Sequence, residues 1–437
     1  MSYKIIDLPA LGRPFNATDI IEVSANGTGS YKANIGNFTL GGENYIFVNS
    51  NGTPEENGQA VRDAYALAQT LTPNGNPLDY NNKVIILLAP GYYSFDELNE
   101  GPFVVDQNWI DLESLTGSRD VFFSSIQVNS PSPGIIVNIS GIDITKNNYY
   151  SHAAFAVASS GGIDEFLTIQ NCKGRDYSFS SFSAGFNGIY NNCEARTYSF
   201  CSSGDDITPP DGITSTYTND VQNFGNIINC RAEAYSFCSN TSIGTPVGKA
   251  NNFGKIKNCI STGFSFCYSE YISNNLGVIE DCQGDDYTFC ATIDSDDIGQ
   301  SVNNGFIVNC RIYGNGGCVY GGANGDFNSA SNLGLISGCY STGDSSFVIN
   351  EGLSIANNQG KILNCYTDGQ GFCGSFGKNQ GNIIECTALE KSFCSDSPLE
   401  NSAEILRCTL LSDNFTVGAT GGGRVVLGID TTGVVNF

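Results

Sequence analysis

The sequence is poor in cations. Its 437 residues hold 20 Lys and Arg against 44 Asp and Glu, a formal net charge of −24. Recognition of nucleic acid through its phosphates needs clustered basic side chains, so nucleic acid is not an expected partner. There is one histidine, His152, and one tryptophan, Trp109. No Cys-x-x-Cys occurs, so a zinc site of the usual spacing lacks both its thiolate pair and its imidazoles. No segment approaches the ~18 apolar residues of a membrane helix. The longest apolar run, Val84 to Ala89, stops at Pro90-Gly91, and membrane insertion is not expected. No apolar stretch follows Met1-Ser2-Tyr3-Lys4, so no secretion signal is expected, and thiols made in a cytosol stay reduced. Disorder is excluded as well: 40% of residues are hydrophobic and only 15% are charged, too apolar a balance for an unfolded chain.

What the sequence has in quantity is glycine (52 residues), asparagine, serine and 17 cysteines. Such a composition favours turns and short strands over helices. The cysteines follow an internal repeat. Its core reads Ile-x-Asn-Cys, then small and polar residues, then aromatic-Ser-Phe-Cys. Two copies are Ile227-Ile228-Asn229-Cys230…Tyr235-Ser236-Phe237-Cys238 and Ile256-Lys257-Asn258-Cys259…Phe264-Ser265-Phe266-Cys267. The first cysteine falls at 172, 193, 230, 259, 282, 310, 339, 365, 386 and 408. A second follows eight residues later at 201, 238, 267, 290, 318, 373 and 394. Ser180, Phe347 and Thr416 take that slot in the other coils.

Spacing within a repeat is rigid, whereas spacing between repeats varies. A fixed coil with one loop of variable length is implied. The fixed part shows no helical period, and the Leu-x-x-Leu-x-Leu frame of leucine-rich repeats is absent. Coils of 21 residues or more suit three short strands and three turns. The expected fold is therefore all-β: a right-handed, single-stranded parallel β-helix of about 12 coils over residues 81–420. Ile at −3 and Cys at 0 have opposite strand parity, so both point inward only if the chain bends between them. Asn at −1 suits that bend, because a left-handed conformation costs Asn little. Small residues at +2 fit a narrow interior, and Phe at +7 predicts an aromatic stack. Both cysteine columns are expected to be buried, reduced thiols that pack as small hydrophobes. Disulfides between neighbouring coils satisfy the Cα separation but fit the required dihedral poorly.

The ends differ from the repeat. Val61, Ala64, Tyr65 and Ala68 follow helical spacing within residues 51–71. Residues 43–80 are expected to cap the open end of the β-helix with that helix. Residues 421–437 leave the repeat and cap the other end. The segment from Asn57-Gly58-Gln59-Ala60 through Val84-Ile85-Ile86-Leu87-Leu88-Ala89-Pro90-Gly91-Tyr92-Tyr93 resembles the start of pectate-lyase-like β-helices, where a helix leads into a strand and a Pro-Gly-x-Tyr turn. Residues 1–42 form a separate module. Leu8-Pro9-Ala10-Leu11 precedes Asp19-Ile20-Ile21-Glu22-Val23-Ser24 and Asn26-Gly27-Thr28-Gly29-Ser30-Tyr31-Lys32-Ala33-Asn34-Ile35, a strand, a Gly-rich turn and a strand. This module resembles the amino-terminal module of tailed-phage tail fibres and tailspikes. The resemblance implies virion attachment or trimerisation by residues 1–42. It implies a virion location, a homotrimer, other virion proteins as partners of the amino terminus, and a host-surface glycan or receptor as the target.

Candidate contact residues come from the variable loops, which stack on one side of the helix at 202–224, 239–253, 291–304 and 319–333. Asp205, Asp206, Asp294, Asp296 and Asp297 can accept hydroxyl hydrogen bonds, while Tyr217, Tyr268, Tyr271 and Tyr320 can cover sugar faces. The plainer reading of these loops is a solvated acidic surface. A Ca²⁺ site at Asp294-Ser295-Asp296-Asp297 lacks the EF-hand frame, and no metal or cofactor is expected. A second column, at +3, places Glu233 and Asp285 two coils apart, about 9–10 Å between backbones. That is near the carboxyl separation of inverting glycosidases, roughly 6.5–9.5 Å. The function expected first is a virion appendage that recognises a host-surface polysaccharide or receptor. The alternatives are a polysaccharide depolymerase acting through Glu233 and Asp285, and a purely structural virion protein.

Overall fold

A computed structural model gives an all-β parallel β-helix. It describes residues 20–435 except 26–28, 35–37, 41–43, 96–100, 131–134, 146–154, 160–166, 176–177, 182–185, 197–198, 205–219, 242–248, 264–265, 270, 287–288, 293–298, 315–316, 322–328, 343–345, 351–355, 369–370, 374–377, 390–399, 402, 412–423, 427 and 431–432. The chain divides into two compact units, residues 1–126 with 137–148 and residues 127–136 with 149–437.

In the first unit the expected hairpin is present as an antiparallel pair, Ile20–Ala25 with Gly29–Asn34. Leu8-Pro9-Ala10-Leu11 lies outside the described residues. The helix spans Pro54–Ala68. Thr53 caps it reciprocally: Thr53 Oγ1 accepts from the Glu56 N–H at 3.3 Å, and Glu56 Oε2 accepts from the Thr53 N–H at 2.9 Å. Pro54 suits the first helical position, where an N–H has no intrahelical acceptor. Val61, Ala64, Tyr65 and Ala68 are buried, as the expected stripe requires. A Cβ at Gly58 would lie 1.9 Å from the Ser94 carbonyl oxygen, so only glycine allows the helix this close to the chain after Tyr93. Two parallel series follow. One is Val84–Leu88, Ile110–Ser114 and Val137–Ser140. The other is Gly91–Tyr93, Val121–Phe123 and Ile142–Asp143.

In the second unit each full coil has four strands, one more than the period suggested. The coil of Cys230 runs Asn226–Ile228, Arg231–Ala232, Ser239–Thr241 and Lys249–Asn252. The fourth strand and the corner after it carry Asn-x-Gly: Asn223-Phe224-Gly225, Asn252-Phe253-Gly254, Asn275-Leu276-Gly277 and onward to Asn379-Gln380-Gly381. Length variation sits between the third and fourth strands, as between Gly204 and Asp220 or Thr292 and Gln300. Both ends of each expected loop are therefore strand.

Inside, like stacks on like. The −3 isoleucines and the first cysteines are all buried. The bend between them is left-handed as expected, with φ 52° to 56° at Asn171, Asn192, Asn229, Asn258, Asn309 and Asn364. Phe179, Phe200, Phe237 and Phe266 form a column with ring centroids 4.9–5.0 Å apart. The Phe-Cys corner is also left-handed, at φ 61° and 79° for Phe237 and Cys238. Such backbone is costly away from glycine, and the ring stack and pairing on both sides hold it.

The second cysteine column departs from expectation. Strands Arg311–Tyr313 and Tyr340–Thr342 are a residue longer than Ile260–Ser261 and Gln283–Gly284. Ala291 therefore pairs with Tyr320, and Val319 with Val348. Cys318 and Phe347 consequently stand in the phenylalanine column, and Phe347 stacks on Phe372 at 5.0 Å. The cysteine positions pass to Val319 and Val348.

All fifteen described cysteines are free and buried; the side chains of Cys373 and Cys394 lie outside the described set. Cys259 Sγ donates toward Lys257 O at 3.3 Å and Ile227 O of the preceding coil at 3.5 Å, and Cys310 and Cys339 repeat this. Burial pushes the Cys201, Cys259, Cys267 and Cys290 thiols up, which suppresses thiolate chemistry.

The Asn-x-Gly corners hold the coils in register. Asn223, Asn252, Asn275, Asn303, Asn332, Asn358 and Asn379 are fully buried. From Asn223 to Asn358, each Nδ2 donates to the Oδ1 of the next, at 2.8–2.9 Å. The Asn252 carbonyl accepts two N–H groups, from Leu276 and Gly277, both at 2.8 Å. A Cβ at Gly277 would lie 2.1 Å from the Gly254 oxygen. Asn303→Ala strands the Asn275 donor and the Asn332 acceptor and is expected to cost about 2–4 kcal/mol. Asn304→Ala, on the exposed neighbour, should stay within about 0.5 kcal/mol. Urea denaturation of both variants measures the difference.

Candidate ligand-binding face

The strands after the first cysteine are short and alternate strictly. Position +2 points inward: Ala232, Ser261, Ile312, Ser341 and Thr367 are buried. Positions +1 and +3 therefore point outward. In-register pairing aligns Ile260, Gln283, Arg311, Tyr340 and Tyr366 in the +1 column. The +3 column holds Glu233, Thr262, Asp285, Tyr313 and Thr342, followed by Asp368. Tyr340 and Tyr366 stack face to face, with centroids 5.0 Å apart and planes 6° from parallel. Arg311 and Tyr313 lie two residues apart on this outer side, in strand Arg311–Tyr313. Partial desolvation and the neighbouring Asp368 carboxylate hold the Tyr340 hydroxyl above its usual range. The result is a partly exposed aromatic surface with a guanidinium and carboxylates at its margin.

Glu233 and Asp285 share this outer face two coils apart, since Ala232, Ser261 and Gly284 are paired in sequence. Thr262 stands between them. Glu233 is exposed and Asp285 half-buried. Glu233 lies just beyond strand Arg231–Ala232, without the burial of a glycosidase's acid in its apolar pocket.

Tyr320 does not belong to a contact surface. It is 1% exposed, in strand Val319–Gly321, and forms a buried cluster with Tyr268 and Ala291, against which Tyr235 packs. Tyr268 is likewise inside. The same register puts both rings together: Tyr268 pairs with Ala291, and Ala291 with Tyr320. Tyr271 is half-buried at the start of the fourth strand, and its carbonyl accepts from the Gln300 N–H at 2.7 Å. Asp205, Asp206, Tyr217, Asp294, Asp296 and Asp297 lie outside the described residues. Sequence reasoning missed Arg311, Tyr313, Tyr340, Tyr366 and Asp368. The signal was present: once +2 is inward, +1 and +3 must be outward.

No family model, curated protein or solved structure matches the chain. Tyr320→Ala is expected to cost about 3–5 kcal/mol through cavity formation. Tyr313→Ala, on the exposed face, should cost less than about 1 kcal/mol. Equilibrium unfolding of both variants checks this assignment of inner and outer rings.

Proposed function

We propose that the protein is a virion-surface appendage of the tail-fibre or tailspike kind, which recognises a host-surface polysaccharide. Residues 1–42 attach it to the particle. The observation that carries the binding role is the outward Tyr340–Tyr366 stack beside Arg311, Tyr313 and Asp368. Aromatic faces cover the apolar side of a sugar ring, while charged neighbours bond its hydroxyls. A β-helix holds such groups rigidly, so little side-chain entropy is lost on binding. Depolymerase activity through Glu233 and Asp285 is the second reading, supported by their shared column alone.

A homotrimer belongs to the same proposal. The corner position between each Asn and Gly exposes Phe224, Phe253, Leu276 and Leu333. Phe224 and Phe253 stack at 4.8 Å. The column continues through Asn304, Gln359 and Gln380 and contains no carboxylate, so copies of a −24 chain meet there with least repulsion.

The joint variant Tyr340→Ala/Tyr366→Ala should lower host-cell binding about tenfold or more while circular dichroism stays unchanged. Unaltered binding would move the site to the loop between Gly204 and Asp220, whose shortening then becomes the deciding variant. Release of reducing ends from host polysaccharide, abolished by Glu233→Gln, would establish the second reading instead. For assembly, Phe253→Glu should shift sedimentation from trimer toward monomer; a trimer that is indifferent to this change excludes the corner column as the interface.

A further inference from the structure

The first unit carries an aromatic and polar cluster separate from the tyrosine face. Trp109, the only tryptophan, is half-buried, with φ +67°. A bulky side chain in that region is an outlier that its surroundings must enforce. Its carbonyl accepts from the Val84 N–H at 2.9 Å, which ties it to the preceding rung. Tyr80 stands edge-on to its ring, 6.4 Å between centroids, and is 77% exposed. Lys83 Nζ lies 5.7 Å from the centre of the indole.

A chain of polar groups runs on from Lys83. Lys83 Nζ is 3.3 Å from Asp111 Oδ2. Asp111 points to the outer side of the sheet yet is 4% exposed, and its Oδ1 accepts from the Asn138 N–H at 2.8 Å. Asn138 Nδ2 donates to Glu113 Oε1 at 2.9 Å. Asn138 Oδ1 is buried with no hydrogen-bond partner among the described residues. Burial raises the Asp111 carboxyl above its usual range, while the Asn138 N–H and Lys83 draw it back. An orphan amide oxygen and a left-handed backbone at a bulky residue are each unfavourable in a purely structural surface.

We propose that Tyr80 and Trp109 form the platform of a second saccharide site, with Lys83 and Glu113 as its hydrogen-bonding groups, Asp111 as the residue that positions Lys83 and Asn138 as the residue that positions Asp111 and Glu113. The site offers an aromatic surface, one cationic donor and a carboxylate acceptor, and sugar hydroxyls both donate and accept. The net charge of −24 repels polyanions, so the ligand class is an uncharged oligosaccharide. The inference stands on the first unit alone and does not depend on the tyrosine face.

Trp109 is its own reporter. Intrinsic tryptophan fluorescence of the full chain is titrated with neutral tetra- to hexasaccharides of glucose, galactose, mannose and rhamnose. At least one should give a saturable change in emission. Tyr80→Ala should weaken that response about tenfold or more, and Lys83→Met should weaken it too. Tyr340→Ala/Tyr366→Ala should leave it intact, which separates this site from the one proposed above. Tyr80 is mostly exposed, so its variant is expected to fold, and circular dichroism verifies that it does. A silent panel, or a response unchanged by Tyr80→Ala, overturns the inference.

Discussion

In-register stacking of one coil on the next is the constraint on which the repeat unit depends. From Asn223 to Asn358, the carbonyl at each Asn-x-Gly corner takes two N–H groups from the following coil, and the glycine admits the chain at a distance no Cβ tolerates. The buried asparagine side chains then pair end to end, each satisfied by its own kind. A slip of one residue would break both sets of bonds and turn every inward residue outward.

Composition follows from that constraint. With register fixed, each column is a stack of equivalent positions, so residues that tolerate their own kind as neighbours dominate: Ile, Phe, Cys and Asn inside, Tyr and Asn outside. Like charges opposite one another are unfavourable, and the charged positions respond by alternating. Lys257 pairs in register with Glu280, and Lys173 reaches Glu194 at 3.0 Å. The inserted residue at Arg311–Tyr313 is absorbed locally, because Cys318 is small enough to occupy a phenylalanine position without expelling its neighbours.

The same stacking builds surfaces. A partly exposed residue repeated once per coil becomes a ridge, whether Tyr340 on Tyr366 or Phe224 on Phe253. Recognition on such a scaffold needs no folding on contact, because the rings are already held parallel by the backbone. The first unit works differently. Its helix, its few rungs and the cluster around Trp109 have no repeat to copy, and each contact there is particular to its residues.

Much of this was legible in the sequence. The cysteine spacing, the isoleucine three residues before it and the asparagine between them determined a coil with a left-handed bend, and the Val61–Ala68 stripe determined the helix. Those signals are local, set by strand parity and by the conformational freedom of single residues. The fourth strand, the buried asparagine ladder and the displacement of Cys318 were decided by the tertiary structure, because each depends on which residue of the next coil lies opposite. Tyr320 and Tyr340 read alike in the chain. One is inside and the other outside only because pairing with Ala291 draws the first into a closed cluster, while pairing with Tyr366 leaves the second on an open face.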